Sequence, residues 1–170
     1  MSDAPLLRIA ILECDTPAPN TNSKYGGYRG VFTALLHAAA DNLRSSSSFP
    51  LNPRLELSAY DVVSAQEYPP LDSIDGVLLS GSKHNSFDDD PWILKLVEFT
   101  KMVLEDGRVR VIGVCFGHQI VGRALGAPVG RSDGGWEVSV TAVDLTKKGQ
   151  EIFGKTAIVS FVACTIDYSG

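Results

Sequence analysis

Short apolar runs recur along the chain at intervals that fit the strands of one sheet. Residues 8–12, 76–79 and 109–114 are rich in Ile, Leu and Val, and residues 55–60 alternate between apolar and polar side chains. Near-continuous aliphatic runs are typical of strands whose two faces are both buried, as in a parallel sheet. A later alternating run at 138–142 favours a strand with one exposed face, outside the parallel core.

Segments with helical spacing separate these predicted strands. Apolar residues three and four apart form a stripe in each of two segments: Phe32, Leu35, Leu36, Ala39 and Leu43, and then Ile93, Leu96, Val97 and Met102 or Val103. Asp90 followed by Pro91 is typical of a helix start, and Gly126 of a helix end. Alternating strands and helices predict an α/β fold with a doubly wound, mostly parallel sheet. The Pro-, Asn- and Gly-rich segment 14–27 is interpreted as a loop.

Composition excludes several classes of partner. The chain has 170 residues, of which 21% are charged, and its formal net charge is −5. Because phosphate binding needs clustered Lys and Arg, this acidic balance argues against a nucleic-acid partner. The sequence contains neither a basic leader nor an apolar stretch of membrane-spanning length, so we expect a soluble, cytoplasmic (cytosol) protein with no membrane partner.

The cysteine content indicates the redox environment. The three cysteines, Cys14, Cys115 and Cys164, show no C-x-x-C spacing. An odd number without metal-ligand spacing fits a reducing compartment better than a disulfide framework or a zinc site. We therefore expect neither a metal ion nor an organic cofactor.

The most informative segment is RVIGVCFGHQ at residues 110–119, which contains G-x-C-x-G between a predicted strand and a predicted helix. A nucleophile at this position occupies a tight, strained turn, so Gly113 and Gly117 provide clearance. The N–H groups at the start of the helix stabilise negative charge on a thiolate. We therefore predict that Cys115 attacks a carbonyl carbon and that the N–H of Phe116 holds the resulting oxyanion.

Two predicted strand ends carry unusual chemistry, Ser80-Gly81-Ser82 and Cys115-Phe116-Gly117. Ligands of parallel α/β sheets bind beyond the carboxyl ends of the strands, so we expect the two segments to meet at one rim of the sheet. A second backbone donor to the oxyanion is expected from this neighbouring strand end, where Gly81-Ser82 supplies flexible backbone.

At these residues the chain resembles a known family. GVCFGHQI and SGSKHNSFDDDPWI resemble the nucleophile and oxyanion segments of the class I glutamine amidotransferases. YGGYRGVF and GSKHNSF together resemble a branch of amidotransferase-like hydrolases that includes the γ-glutamyl peptidases of plants and their fungal relatives. The resemblance covers residues 8–154 and implies a flavodoxin-like fold with a Cys-His-Glu triad. It further implies that Cys115 attacks the γ-carbonyl of glutamine or of a γ-glutamyl peptide.

The resemblance also implies roles for residues around the nucleophile. Gly81 and Phe116 would carry the two backbone donors to the oxyanion. Gln119, one turn into the helix, corresponds to a glutamine that helps to hold the substrate. Trp136 and Glu137 correspond to a segment that borders the glutamine pocket. The expected partner is therefore a small-molecule substrate. The sequence gives no support for ammonia transfer to a partner enzyme, because no synthetase domain is attached.

The chain departs from the family pattern beyond residue 118. A thiolate nucleophile needs a base and a group that orients it, and the family places its His and Glu downstream. The histidines here are His37, His84 and His118, and residues 155–170 contain neither His nor Glu. We expect His118 to support the elbow helix rather than to act as the base. The pattern suggests a partial amidotransferase-like domain at 8–154, truncated at its C-terminus, and a divergent tail at 155–170.

Three functions remain open on the sequence alone. The first is a glutamine amidotransferase-like cysteine hydrolase of γ-glutamyl amide or peptide bonds. The second is a catalytically inactive truncated relative, which binds a ligand or has no function, because the downstream base and acid are missing. The third is a DJ-1-like stress protein, which also carries a cysteine at an elbow and an acid near it. Glu13 follows the first predicted strand, but Gly-His-Gln after the cysteine motif favours the amidotransferases.

Overall fold

The computed structural model describes residues 6–45, 54–131 and 139–162. The chain divides into two compact units, Met1–Pro128 and Val129–Gly170. Four strands of the first unit form one sheet: β1 (Leu6–Glu13), β2 (Arg54–Asp61), β3 (Gly76–Leu79) and β4 (Arg110–Gly113). Their order is β2-β1-β3-β4 and every neighbouring pair is parallel. This is the order of a flavodoxin-like doubly wound sheet, so the predicted fold class is confirmed.

Both faces of this sheet are covered by helices. The first unit contains α1 (Pro19–Tyr25), α2 (Tyr28–Ser45), α3 (Pro91–Asp106) and α4 (Phe116–Ala124). Successive strand residues point to opposite faces, and the core is accordingly split into two clusters. Leu12 and Leu79 lie in the cluster that includes residues of α3 and α4, whereas Ile11 and Leu78 lie in the cluster that includes Phe32 of α2.

The buried face of α2 differs from the predicted stripe. Phe32 and Ala40 are buried, whereas Leu35 and Leu43 are 58% and 42% exposed. Leu36 packs against the cluster from the same side as Phe32. Phe32, Leu36 and Ala40 are four residues apart, so the face of α2 that packs on the sheet is a narrow one. Of the five residues in the predicted apolar stripe, Leu35, Ala39 and Leu43 are exposed.

The buried face of α3 agrees better with the sequence. Ile93, Leu96 and Val97 are buried as predicted, and of the two alternatives Val103 is buried while Met102 is 53% exposed. The helix starts at Pro91, and the carbonyl oxygen of Asp90 accepts from the N–H of Ile93 at 2.9 Å. The Asp90 side chain makes no capping hydrogen bond.

The segment interpreted as a loop after β1 contains α1. Pro19 lies in its first turn, and Gly26 ends it with a φ of 70° and an N–H donated to the carbonyl oxygen of Asn22 at 2.7 Å. Proline at the start and glycine past the end are ordinary helix boundaries. The loop interpretation is wrong for Pro19–Tyr25, because the proline at the start and the glycine after the end mark a helix despite the Pro-, Asn- and Gly-rich composition of the segment.

The second unit contains a separate antiparallel pair, β5 (Ser139–Asp144) and β6 (Ala157–Val162), connected through α5 (Lys147–Phe153). Thr146 caps α5 by accepting from the N–H of Gly149 at 3.2 Å. The strand predicted near 138–142 is thus confirmed outside the parallel sheet. Within the described ranges, no helix is long and apolar enough to cross a lipid bilayer.

Candidate active site

Cys115 lies in the turn between β4 and α4, which we call the elbow. Its φ of 52° and ψ of −110° place it among only two non-glycine residues of the described ranges with positive φ. This backbone conformation is costly for a residue with a side chain and recurs at functional sites. The thiol is exposed, and the carbonyl oxygen of Cys115 accepts from the N–H of His118 at 3.0 Å. The elbow therefore holds an accessible thiol at the N-terminus of a helix.

Two glycines make room for the elbow. A Cβ on Gly113 would lie 2.5 Å from the backbone nitrogen of His118 and 2.6 Å from the carbonyl carbon of Gly117. A Cβ on Gly117 would lie 2.5 Å from the carbonyl oxygen of Leu79 in β3. Because these neighbours are backbone atoms, a side chain at either position would displace the turn or the strand. The predicted clearance at Gly113 and Gly117 is confirmed.

The end of β3 lies directly beside the elbow. A Cβ on Gly81 would be 3.7 Å from the Cβ of Cys115 and 4.0 Å from the carbonyl oxygen of Val114. The buried hydroxyl of Ser80 accepts from the N–H of Cys14 at 2.8 Å and donates to the carbonyl oxygen of Gly81 at 3.0 Å, which fixes the ends of β1 and β3 together. The two strand ends meet at one rim, as the sequence predicted.

Two backbone donors, the N–H groups of Gly81 and Phe116, lie at this rim. Within the described residues, neither the N–H of Gly81 nor that of Phe116 makes a hydrogen bond. Unpaired N–H groups are expected in the first turn of a helix, where they can bind negative charge. The Phe116 side chain is 1% exposed, and its ring stacks on Trp92 with the ring centroids 5.6 Å apart. Both N–H groups that were predicted to hold an oxyanion are thus available beside Cys115.

Side chains of α4 fasten the segment that follows β3. The Ser86 hydroxyl donates to Oε1 of Gln119 at 2.7 Å, and both residues are buried. Arg123 donates to the carbonyl oxygens of Ser86 and Asp88 at 2.9 and 2.8 Å and pairs with Asp89 at 2.6 Å. These contacts hold Gly81 and its neighbours in register with the elbow. No local sequence pattern marks Arg123 for this role, since its partners lie more than 30 residues away along the chain.

Gln119 is oriented by this network. Its Oε1 is held by Ser86, whereas its Nε2 has no acceptor among the residues that the structure describes. A contact between Gln119 and substrate stays a prediction. Trp136 and Glu137, the other two residues assigned to the substrate pocket, lie outside the described residues.

The three histidines occupy different places. Nδ1 of His118 lies 2.9 Å from the carbonyl oxygen of Cys115, so this ring is tied to the helix start. The His84 ring packs edge-on against Trp92 at 5.2 Å, and His37 is exposed on α2. The position of His118 agrees with the expected role in supporting the elbow.

The other described cysteine offers a chemical contrast. Cys14 is fully buried, and burial raises the pKa of its thiol to about 12 despite the hydrogen bond from its N–H to Ser80. A thiol with such a pKa is protonated at neutral pH and is a poor nucleophile. Of the two, only Cys115 has the access that a nucleophile needs.

Asp15 links the end of β1 to the segment after β3, and no local sequence pattern marks it for this role. Its carboxylate accepts from the N–H of Lys83 and from Lys83 Nζ, both at 2.8 Å. Burial opposes ionisation, but these hydrogen bonds outweigh it and lower the pKa of Asp15. The ion pair closes one side of the rim.

A cleft of about 390 Å³ lies at the ends of β1 and β2 and is lined in part by Glu13, Asp15, Asn22 and Asp61. Its carboxylates already serve the fold, because Asp61 accepts from the N–H groups of a following turn and Glu13 from the N–H of Arg29. Cys115 does not line it. The candidate active site is therefore the elbow rim.

Comparisons with known proteins agree with this geometry. The family described as glutamine amidotransferase class-I matches residues 29–163. A putative glutamine amidotransferase-like protein of Schizosaccharomyces pombe is 37% identical over 155 residues, 88% of this chain and 60% of that protein. Gamma-glutamyl peptidase 4 of Arabidopsis thaliana is 33% identical over 126 residues, 73% of this chain and 44% of that protein. The chain thus spans between about two-fifths and three-fifths of these relatives.

Solved structures support the same fold. A glutamine amidotransferase from Thermotoga maritima superposes with a TM-score of 0.65 at 15% identity, over 95% of this chain and 62% of that one. Together with the sheet order and the elbow, the match over residues 29–163 identifies the chain as a member of the class I glutamine amidotransferase family.

Proposed function

We propose that the protein is a cysteine hydrolase of γ-glutamyl amide bonds, in glutamine or in γ-glutamyl peptides. The observation that carries the proposal is the elbow rim, where an exposed Cys115 with positive φ lies beside the unpaired N–H groups of Phe116 and Gly81. This arrangement suits attack on a carbonyl whose oxygen becomes negative. Similarity to a protein named as a gamma-glutamyl peptidase supports the choice of substrate class.

The reaction needs only the thiol, a base and water. Sγ of Cys115 adds to the γ-carbonyl carbon, and the oxyanion accepts hydrogen bonds from the N–H groups of Phe116 and Gly81. The C–N bond then breaks, the amine leaves with the proton that the thiol gave up, and a γ-glutamyl thioester remains on Cys115. Water hydrolyses the thioester, which releases glutamate and restores the thiol.

We propose that the base for these proton transfers belongs to a part of the complete protein that follows these 170 residues. Nδ1 of His118 lies 2.9 Å from the carbonyl oxygen of Cys115, and the His84 ring packs edge-on against Trp92. We assign both rings to support of the fold. The family resemblance puts the base and its orienting acid downstream of this segment. We propose that the complete protein carries them there, which is compatible with the 60% coverage of the fission yeast relative.

The test is the release of glutamate by the protein isolated from its own cells, with glutamine and with glutathione as substrates. We expect release from at least one of them and a loss of at least about a thousandfold in the Cys115→Ser variant, which removes the nucleophile. Cys14→Ser is the matched control. It makes the same change in the buried cysteine and should leave turnover unchanged.

Absence of release from both substrates would overturn the proposal. The inactive relative that binds a ligand, or has no function, would then be the better description. Equal activity in Cys115→Ser and the unaltered protein would instead show that another group performs the reaction.

A further inference from the structure

The motif Tyr25-Gly26-Gly27-Tyr28-Arg29-Gly30 has no role in the reaction as described so far. Gly30 is required by packing, since a Cβ there would collide with the carbonyl oxygen of Tyr25, whereas Gly26 is favoured by its φ of 70°. Gly27 has a φ of 115°, and a Cβ there would be 2.9 Å from Oε1 of Glu13. The motif therefore forces α1 and α2 into a sharp junction against the end of β1.

Glu13 fixes the start of α2 at this junction. Its Oε1 accepts from the N–H of Arg29 at 2.8 Å, in the first turn of the helix, where an acidic group is favourable. Tyr28 is the first residue of α2. The junction thus determines where the Tyr28 side chain lies.

The Tyr28 ring is anchored and its hydroxyl reaches the elbow rim. The ring stacks on Phe32 with centroids 6.1 Å apart and packs against the cluster of Ile11 and Leu78. A Cβ on Gly81 would be 3.8 Å from the Tyr28 hydroxyl oxygen and 3.7 Å from the Cβ of Cys115. The hydroxyl and the nucleophile therefore flank the same point, next to the N–H of Gly81.

The hydroxyl is free to act as a donor. It makes no hydrogen bond within the part of the chain that the structure describes. Burial, and then the charge of Asp15 and the proximity of Cys115, raise the pKa of Tyr28. The phenol consequently keeps its proton at neutral pH. The half-buried, anchored hydroxyl is therefore placed to donate a hydrogen bond to a ligand.

We propose that Tyr28 is a further catalytic residue, whose hydroxyl donates a hydrogen bond to the oxygen of the γ-glutamyl carbonyl as Cys115 adds to it. This rests on the proposed function and deepens it. The oxyanion would then be held by Gly81, Phe116 and Tyr28, two backbone donors and one side chain. The packing of the motif would serve to hold this side chain at the rim.

The experiment compares two reagents that modify Cys115. One is the diazoketone analogue of glutamine, in which a diazomethyl group replaces the amide nitrogen, so that alkylation requires recognition of a γ-glutamyl carbonyl. The other is iodoacetamide, which reports the reactivity of the thiol alone. Rates are followed by intact mass on the protein produced in and isolated from its own cells, and the modified peptide is identified. A diazoketone without the glutamyl part measures unspecific modification.

Tyr28→Phe keeps the ring on Phe32 and removes only the hydroxyl. We expect it to slow the reaction with the glutamine diazoketone at least about tenfold, the lower end of the loss for one hydrogen bond to a charged group, and to leave the iodoacetamide rate unchanged. Tyr25→Phe is the matched control, because it removes a hydroxyl from the same motif on a 38% exposed ring. It should behave like the unaltered chain with both reagents.

The outcomes separate the two proposals. If Tyr28→Phe reacts with the diazoketone as fast as the unaltered chain, Tyr28 does not contact the carbonyl and the inference is overturned. Equal slowing with both reagents would also overturn it, since the change would then act on the thiol through the fold. If the unaltered chain reacts no faster with the glutamine analogue than with the plain diazoketone, the proposed function itself fails.

Discussion

Cys115 and Cys14 are the same residue type in opposite environments. One lies at a φ of 52° with an exposed thiol, and the other is fully buried with its pKa raised to about 12 by burial. The G-x-C-x-G motif distinguishes them in the sequence, because glycines at these two positions serve a tight turn rather than a core strand. Tyr28 and Asp15 have no such signal, since their positions at the rim depend on contacts between distant segments.

Gly113→Ala should damage the elbow directly. The new Cβ would lie 2.5 Å from the backbone nitrogen of His118, so the turn must shift. We expect a loss of about 1–3 kcal/mol in the free energy of unfolding, measured in urea, and a slower reaction of Cys115 with the glutamine diazoketone. Gly130→Ala is the control, because a Cβ at Gly130 meets nothing within 4 Å. Equal stability of the two variants would contradict the crowding argument.

Asp75 should make stability depend on acid. Arg8 donates to both carboxylate oxygens, from Nη2 at 2.7 Å and from Nε at 3.0 Å, and together with the N–H of Arg8 lowers the pKa of Asp75 to about 2. The unfolded pKa is about 3.9, so the stabilisation is complete above about pH 4 and is lost as the pH falls towards 2.

Asp75→Asn tests this dependence. The variant should be less stable than the unaltered chain at pH 6, and the difference in free energy of unfolding should shrink between about pH 4 and pH 2. The exposed Asp72 provides the control substitution Asp72→Asn, for which we expect little change at either pH. A difference for Asp75→Asn that stays constant with pH would contradict the assignment.

At the scale of elements, the site is made by the junction of β3, β4 and α4. The strands and the elbow helix were predictable, because aliphatic runs and the glycines around Cys115 are local signals. The contact between α4 and the segment after β3 could not be predicted, because Ser86 and Arg123 are 37 residues apart and meet only in the folded chain. Two short helices were missed although Pro19 with Gly26, and Thr146 with Gly154, mark their ends.

Arg123→Met should loosen the segment after β3. The side chain is 22% exposed and donates to two carbonyl oxygens that would be left without it. We expect a loss of about 1–3 kcal/mol and faster amide hydrogen exchange at residues 83–90. Lys101→Met, which breaks only the exposed pair with Glu98, should change stability by less than about 0.5 kcal/mol. Unchanged exchange in Arg123→Met would show that the segment is held by other contacts.

At the scale of the whole molecule, the parallel sheet has an exposed side. β4 is the last strand in the order β2-β1-β3-β4, and Ile112 and Val114 are 49% and 38% exposed. The helix on that face, α2, contacts β1 and β2 but leaves β4 uncovered within the described ranges. Unpaired edges with apolar side chains favour association between copies of a chain. The sequence predicted the sheet but not which strand would form this edge.

Ile112→Thr should reduce self-association of the chain. Threonine keeps the β-branched shape that suits a strand but removes apolar surface from the edge. We expect less association at high concentration by analytical ultracentrifugation, with stability changed by less than about 1 kcal/mol. Leu35→Gln removes a 58% exposed leucine from α2 instead and should leave association unchanged. The same decrease in both variants would mean that general surface hydrophobicity, not the strand edge, is responsible.

The central claim is that Cys115 attacks a γ-glutamyl carbonyl, and trapping of the covalent intermediate tests it most directly. The protein isolated from its own cells would be mixed with isotopically labelled glutamine or glutathione, quenched in acid, digested and examined by mass spectrometry. We expect a labelled γ-glutamyl group on the peptide that carries Cys115, absent in Cys115→Ser and absent from the peptide that carries Cys14. A labelled group on another residue, or none on the peptide of Cys115 while glutamate is released, would contradict it.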